Sequence, residues 1–483
     1  MASPTRRFLG GVVLFLTTDV VVRAILFVMS PVLTRLLTPA QYGGYSLLLS
    51  IAAVAALIQY TGMDAAFPFF RGRISSEREE GEVAATATTM ATVGCVAVTL
   101  VALASFGTSW LERLTRLRTA ELLTFALGLL PLGLLNWYLY VFRYRHETAS
   151  FVRVNVIGLV VGPLAALPLM YTAPADRRLL VLLATTIAAQ VIAIALAFRE
   201  ARAVRIPLYG HGFFSRPLAR KMLAYGGRLV PAFVLYAICF HSGRFLLGWL
   251  SGPDAVSILA VAVTISSIAL IVRTWFSFFW DPHLADWVTQ KQPMDYLPRL
   301  QAAIPLLATA FFLIAALGAF WSDLVIRLLY PASYAPAAEL IPWLLFAGGF
   351  AALSTVAIGT TLIASNPRYH LPVYTAALAI QIAVSVKLIP TMGGMGAVIA
   401  MVAGEVFILC AWVVIGRWML RNLALNWTVA AMQAVLAAVA IAWHNPQATL
   451  IVSVVMIGIG AFALRSHRSL LLQVFGSRAE EPA

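Results

Sequence analysis

The sequence predicts an all-α, polytopic membrane protein of about fourteen transmembrane helices, and three observations predict it. Of 483 residues, 61% are hydrophobic and only 11% charged, with a mean hydropathy of +0.88; a soluble domain carries roughly 45–50% apolar and about 25% charged residues. About three soluble domains would fit the length, but there are too few charged side chains to coat them. Apolar stretches of about 20 residues, enough to cross about 30 Å of hydrocarbon as helix, recur with short polar breaks. They lack the alternation of a lipid-facing strand, and a helix satisfies its own backbone amides in lipid, so helices are expected and a barrel is not.

In chain order the expected spans are Phe8–Leu33, Gly44–Pro68, Ala84–Thr108, Ala120–Val141, Val154–Tyr171, Leu179–Phe198, Leu229–Leu250, Ala255–Trp280, Ala302–Phe320, Ile341–Ala364, Leu371–Ile389, Gly394–Ile415, Thr428–Trp443 and Thr449–Leu464. Thr5-Arg6-Arg7-Phe8-Leu9 looks like a twin-arginine export signal. No small-residue cleavage site follows, however, and the apolar stretch runs past Arg23 to Leu33, so a retained first helix is expected. Near the C-terminus, His444-Asn445-Pro446 is the only break in an uncharged stretch from Asn422 to Leu464. One span more or fewer there would move the C-terminus to the other side.

The formal charge of +14 comes from 34 basic and 20 acidic residues, and all but Lys221, Lys291 and Lys387 of the basic ones are Arg. Numbering the loops alternately, most fall on the N-terminal side, including a cluster from Arg199 to Arg228; Arg35, Arg113, Arg116, Arg118, Arg177, Arg178, Arg327 and Lys387 fall on the other. The positive-inside rule then puts both termini in the cytoplasm, in agreement with an even helix count. Arginines dispersed among short loops form no contiguous stripe, which excludes nucleic acid and leaves topology and anionic membrane lipids as their roles. Cys95, Cys239 and Cys410 lie singly inside spans with no metal-ligand spacing, so they are read as packing residues.

The longest polar connection, Arg199 to Arg228, reads as a cytoplasmic linker with an amphipathic piece resting on anionic lipid. It divides the chain into an N-terminal six-helix lobe (1–200), a basic linker (201–227), a C-terminal six-helix lobe (228–417), two additional helices (418–466) and a cytoplasmic tail (467–483). Leu36-Leu37-Thr38-Pro39-Ala40-Gln41-Tyr42-Gly43 can be laid on Leu250-Ser251-Gly252-Pro253-Asp254-Ala255-Val256-Ser257. Six helices per half give both halves one orientation, so the repeat implies a pseudo-twofold along the membrane normal, an architecture suited to alternating access.

Leu36 to Gly43, Gly62-Met63-Asp64, Arg244-Phe245-Leu246-Leu247-Gly248 before Gly252-Pro253, and Leu388-Ile389-Pro390 with Gly393 and Gly396 resemble, in order, motifs of the oligosaccharide flippases of the multidrug/oligosaccharidyl-lipid/polysaccharide exporter superfamily. Leu36 to Gly43 stands for that family's Leu-Gly-Pro-x-x-Tyr-Gly turn, and Gly62-Met63-Asp64 for its Gly-Leu-Asp. Tyr225-Gly226 then Pro231, and Arg244-Phe245-Leu246-Leu247-Gly248 before Gly252-Pro253, match the start of its second half. Tyr330 to Ala337 resembles its Tyr-Ala-x-Ala segment, and Leu388-Ile389-Pro390 with Gly393, Gly396 and Ala397 the start of its twelfth helix. The motifs run in order along nearly the whole chain. One departure concerns charge: the family often carries Asp just before the arginine of helix seven, and that position here is Gly243.

A central Arg or Asp in a span costs about 2.5–3.5 kcal/mol on insertion scales, so such groups face a cavity or a partner. The candidates are Asp19 and Arg23 in the first span, Asp64 late in the second, His241 and Arg244 in the seventh, Arg273 in the eighth and Glu405 in the twelfth. Asp19 and Arg23 are four apart and can form a structural pair on one face. Asp64 can anchor its helix end against Arg71, and His241 can be a satisfied core histidine. Arg244 and Arg273 have no acid within one turn, which makes them the better substrate candidates. Asp19, Asp64 and Glu405 are the candidate ion-coupling or partner acids.

The resemblance implies an undecaprenyl-diphosphate-linked oligosaccharide as cargo, with a polysaccharide polymerase and glycosyltransferases as partners. Guanidinium groups bind phosphate oxygens bidentately and stay protonated in low dielectric, so Arg23, Arg244 and Arg273, with His241, would line a central cavity for the diphosphate head. An inside-negative potential favours outward movement of anions by about 2.3 kcal/mol per charge per 100 mV; a proton or sodium ion at Asp64 or Glu405 is the other possible drive. No cofactor and no covalent chemistry are expected, and the location is the bacterial cytoplasmic (inner) membrane. The alternatives are a cation-coupled drug or metabolite exporter of the same superfamily, which calls for an acidic cavity, and a membrane glycosyltransferase or polymerase, whose long acidic loop is missing here.

Overall fold

The computed structural model describes residues 24–25, 27–73, 76–105, 109–145, 147–204, 206, 214–267, 272–273, 276, 297–363, 367–419, 425–443 and 445–465. Among them the chain is helical throughout with no strand. Eleven helices are long and apolar enough to cross a membrane, and Phe27–Leu36, Pro253–Ser266 and Thr428–Trp443 are shorter apolar helices. Each of the fourteen expected spans overlaps one of these; most of Phe8–Leu33 and the end of Ala255–Trp280 lie outside the described residues.

The chain forms two compact units, Met1–His241 with Gly252–Ser257, and Ser242–Ser251 with Ile258–Ala483. The first holds α1 (Phe27–Leu36), α2 (Pro39–Gln59), α3 (Met63–Arg71), α4 (Glu77–Ala104), α5 (Trp110–Thr115), α6 (Thr119–Tyr144), α7 (Thr148–Asn155), α8 (Gly162–Thr172), α9 (Arg178–Ala203) and α10 (Arg216–Gly226). α11 (Val230–Ser251) and α12 (Pro253–Ser266) run through both units. The second unit holds α13 (Leu297–Leu329), α14 (Ala337–Ile363), α15 (His370–Met392), α16 (Gly394–Met419), α17 (Thr428–Trp443) and α18 (Pro446–Arg465).

Local chemistry explains the boundaries. Thr38 caps α2: its hydroxyl accepts from the Gln41 amide at 3.2 Å while the Gln41 side chain accepts from the Thr38 amide at 3.1 Å, and Pro39 opens the helix. Ser76 caps α4, and the Glu121 carboxylate accepts the Arg118 amide at 2.9 Å to start α6. α2 stops at Tyr60 because Thr61 and Gly62 take φ of +52° and +82°. A single membrane-length stretch, Thr148–Thr172, contains a π-helical turn at Val156–Val161 joining α7 to α8.

In lipid, apolar surface gains little by leaving the solvent, so close packing and hydrogen bonds bring helices together. In the first unit α6 lies between α4 and α9. Ala84, Ala87 and Ala91 on α4, and Ala193, Ala197 and Ala201 on α9, form small-residue stripes in the cluster that encloses Trp137, Tyr138 and Phe142 of α6. Trp137 Nε1 donates to Thr88 Oγ1 at 3.0 Å, and Gln59 Nε2 to the Leu129 carbonyl at 2.9 Å. In the second unit α14 packs on α13 and α16, α15 on α16, and the pair α17–α18 on α13. Gln433 on α17 ties that last group, donating to Thr309 Oγ1 at 3.2 Å and to the Met456 carbonyl at 2.9 Å.

α10 is the expected amphipathic piece of the linker, but its partner differs from the expectation. Ala219, Met222 and Gly226 are buried, and the helix packs on α3 and α4 of the first unit. Gly226 lies against Gly62 so closely that a Cβ on either would meet the other's backbone within 2.2 Å. The apolar face is thus packed on protein, with Arg216, Arg220 and Lys221 left exposed.

Candidate functional site

Arg244, Arg273 and Glu405 belong to the second unit, and Asp64 and His241 to the first. Asp19 and Arg23 lie outside the described residues.

In the second unit, Ser242 and Arg244 sit two residues apart on α11. Ser242 Oγ donates to Oε1 of Gln381, a residue buried in the middle of α15, at 2.8 Å. Gln381 in turn lies on Gly404 of α16, where a Cβ would come 2.2 Å from its Nε2; the absence of a side chain there makes room for the amide. The next residue is Glu405, 7% exposed. Arg273 belongs to the same unit and contributes positive potential at the Glu405 carboxylate. Gly243 explains the departure from the family pattern. A Cβ there would meet Met401 Sδ at 3.0 Å, and Met401 lies one turn before Glu405 on α16, so a thioether occupies the side of α11 from which an aspartate would project.

In the first unit, Asp64 lies in the first turn of α3, two residues after the left-handed Gly62, placing its carboxylate at a helix N-terminus where partial positive charge favours it. The Tyr140 hydroxyl donates to its backbone carbonyl. The expected anchor of Asp64 against Arg71 is not formed. Arg71 Nε pairs with Glu80 Oε1 at 3.0 Å, Arg145 joins the same carboxylate at 3.3 Å, and Arg71 also donates to the Tyr144 carbonyl. Around Asp64 lies a row of aromatic rings: Tyr60 and Trp137 with centroids 5.7 Å apart, Trp137 and Tyr140 stacked at 5.6 Å, Tyr140 and Tyr144 at 4.6 Å. His241 is half-buried on α11 with its ring edge-on to Phe240 at 5.2 Å.

Sequence reasoning that searched for ionisable groups missed Ser242, Gln381 and the tyrosine row. Gln381 had a signal, as the only amide in the apolar run Leu371–Ile389. The tyrosines had a weaker one, spaced three and four apart from Trp137 along α6 and so on one face. Cys95 and Cys239 are buried and Cys410 exposed, and among the described residues no group of three His, Cys, Asp or Glu is placed to hold a metal ion. Chemically the second unit offers guanidinium groups, a carboxylate and a hydrogen-bonded amide within apolar helices. The first offers a carboxylate with aromatic faces.

Comparison with known proteins gives this arrangement a family. Solved structures similar to the chain include lipid II flippase MurJ in an inward closed conformation, with a TM-score of 0.64 and 13% identity over 95% of this chain and 99% of that one. An inward-facing multidrug resistance MATE family transporter of the MOP superfamily gives 0.62 and 14% over 84% and 95%. A mutant of the Vibrio cholerae MATE transporter VcmN gives 0.56 and 14% over 86% and 95%. At those identities the likeness establishes the fold, that of MOP-superfamily transporters. No curated protein matches. The family model described as polysaccharide biosynthesis protein matches residues 8–277. That match spans more than half of the sequence, and the chain belongs to the polysaccharide biosynthesis protein family.

Proposed function

We propose that the protein flips a polyprenyl-diphosphate-linked oligosaccharide from the inner to the outer leaflet of the cytoplasmic membrane by alternating access, in capsule, O-antigen or exopolysaccharide assembly. One observation carries the reading: in a chain of the polysaccharide biosynthesis family, Arg244 stands within the apolar helix α11, in the unit that also holds Arg273 and buries Glu405. The description of a solved relative as a lipid II flippase supports the same class of cargo. A polyprenyl tail stays in lipid, whereas a diphosphate and its hydroxylated sugar need a polar path. Arg244 and Arg273, with Arg23 and His241, hold the diphosphate, and guanidinium groups suit this because they stay charged where water is scarce. Glu405, electrostatically associated with Arg273, balances the cation when cargo is absent. Asp64, Asp19 and Glu405 are the sites at which a proton or sodium ion couples to the cycle, alongside the membrane potential.

In this reading there is no covalent step, both termini are cytoplasmic, a polymerase and glycosyltransferases are functional partners, and anionic lipid surrounds the basic side. The test is fluorescence-quench flipping of a short-chain polyprenyl-diphosphate sugar in proteoliposomes. Flipping by the wild type that falls at least about tenfold in Arg273→Ala, the loss of one charge-assisted phosphate contact, supports the assignment. Uptake of a cationic dye without lipid flipping would replace it with the cation-coupled exporter of the same superfamily.

A further inference from the structure

α9 has two faces. Ala189, Gln190, Ala193, Ala197, Glu200 and Ala201 are buried against the first unit. At 100° per residue, Val191, Ile192, Ala195, Arg199 and Arg202 fall on the opposite side, and all five are exposed, Val191 at 54% and Ile192 at 60%. The outer face is therefore an apolar stripe ending in two arginines at the last turn of a membrane-length helix. There an open groove of about 530 Å³ is lined by Ala195, Phe198, Arg199 and Arg202.

Among the described residues no acid pairs with the charge in this groove. Glu200 is the only acid in α9 and it points the other way: it is buried, accepts from Ser150 Oγ at 2.9 Å and pairs with Arg153 at 3.1 Å. Glu80 likewise serves Arg71 and Arg145. Among the described residues neither Arg199 nor Arg202 has an acidic partner within ion-pair distance. Two cations beside one groove match a phosphate carrying net negative charge, and the apolar stripe in line with them matches acyl chains.

We propose that this outer face of α9 is a binding site for an anionic phospholipid, whose headgroup phosphate is held by Arg199 and Arg202 and whose chains lie along Ala195, Ile192 and Val191. The site gives the anionic-lipid contact of the preceding section a location. It rests on the membrane placement of α9 and not on the cargo, so its failure leaves the flippase reading standing, and failed flipping leaves this site standing.

The test is titration of the purified full-length protein in detergent with cardiolipin and with phosphatidylcholine, reading bound lipid by native mass spectrometry. The wild type retains cardiolipin in preference to phosphatidylcholine. An arginine beside an anionic headgroup contributes about fivefold in affinity, so R199Q and R202Q each weaken cardiolipin about fivefold, and the double variant about twenty-five-fold. The exposed control R327Q, whose arginine pairs with Asp323 at 2.7 Å in the second unit, leaves binding unchanged, and inorganic phosphate at equal concentration does not displace the lipid. Unaltered binding in both single variants, an equal loss in R327Q, or displacement by inorganic phosphate overturns the proposal.

Discussion

Gly62 takes a left-handed φ of +82°, and its missing Cβ is where the Gly226 backbone passes, 2.2 Å from the position a side chain would occupy. Alanine there is strained by conformation and by contact, so Gly62→Ala lowers stability by at least about 2 kcal/mol. Gly458→Ala, on an open face of α18, is neutral or stabilising, and thermal unfolding in detergent compares the two. Trp137→Phe removes the donor to the buried Thr88 hydroxyl and costs about 1–2 kcal/mol, read by the same measurement. The Gly-Met-Asp triplet was legible as a marker, but its reason was not, because Gly226 lies 164 positions away in sequence. The same holds for Gly404, which is small because Gln381 lies across it. Asp64 was legible as a charge near a helix end, yet sequence proximity suggested Arg71 as its partner when Arg71 was already held by Glu80 from the following helix.

The helices themselves were legible because twenty apolar residues between polar breaks satisfy a length requirement any bilayer imposes. Caps sharpened the ends: Thr38-Pro39-Ala40-Gln41 reads as a helix start from sequence and is one. What an amphipathic helix packs against was not legible. α10 has the composition of a lipid-surface helix, but its apolar face meets α3 and α4, a choice fixed by shape and not by pattern. Outside the spans, Arg118 Nη1 pairs with Asp176 at 2.8 Å, linking the start of α6 to the α8–α9 turn. The hydrogen bond from Arg118 holds the Asp176 carboxyl below its usual 3.8, and Asp176 raises the Arg118 guanidinium. A carboxylate depressed by folding adds stability above its unfolded pKa and loses it as pH falls through the folded value. Thermal stability of the wild type therefore declines slightly as pH drops below about 4, a decline that Asp176→Asn reduces and that added salt also blunts, since the pair is exposed.

At the scale of the molecule, a charge of +14 divides into groups with different consequences. Many arginines lie in the first or last turns of helices or in the connections between them. Some are neutralised in place, as Arg71, Arg145 and Arg153 are by Glu80 and Glu200. Arg199 and Arg202 line an open groove on the outer face of α9. Arg244, on α11, and Arg273 belong to the second unit, and the functional account depends on them. Family membership follows from motifs in order along the chain, the kind of information a sequence carries well. The Ser242–Gln381 hydrogen bond, between residues 139 positions apart, is the kind it carries poorly. The most direct measurement is the flipping rate of a short-chain polyprenyl-diphosphate sugar in proteoliposomes, comparing wild type with Arg244→Ala, Arg273→Ala and their Lys replacements. The account predicts at least about a tenfold loss in each Ala variant, with partial recovery in Lys, which keeps the charge but not the bidentate geometry. Equal rates in the wild type and both Ala variants would contradict it.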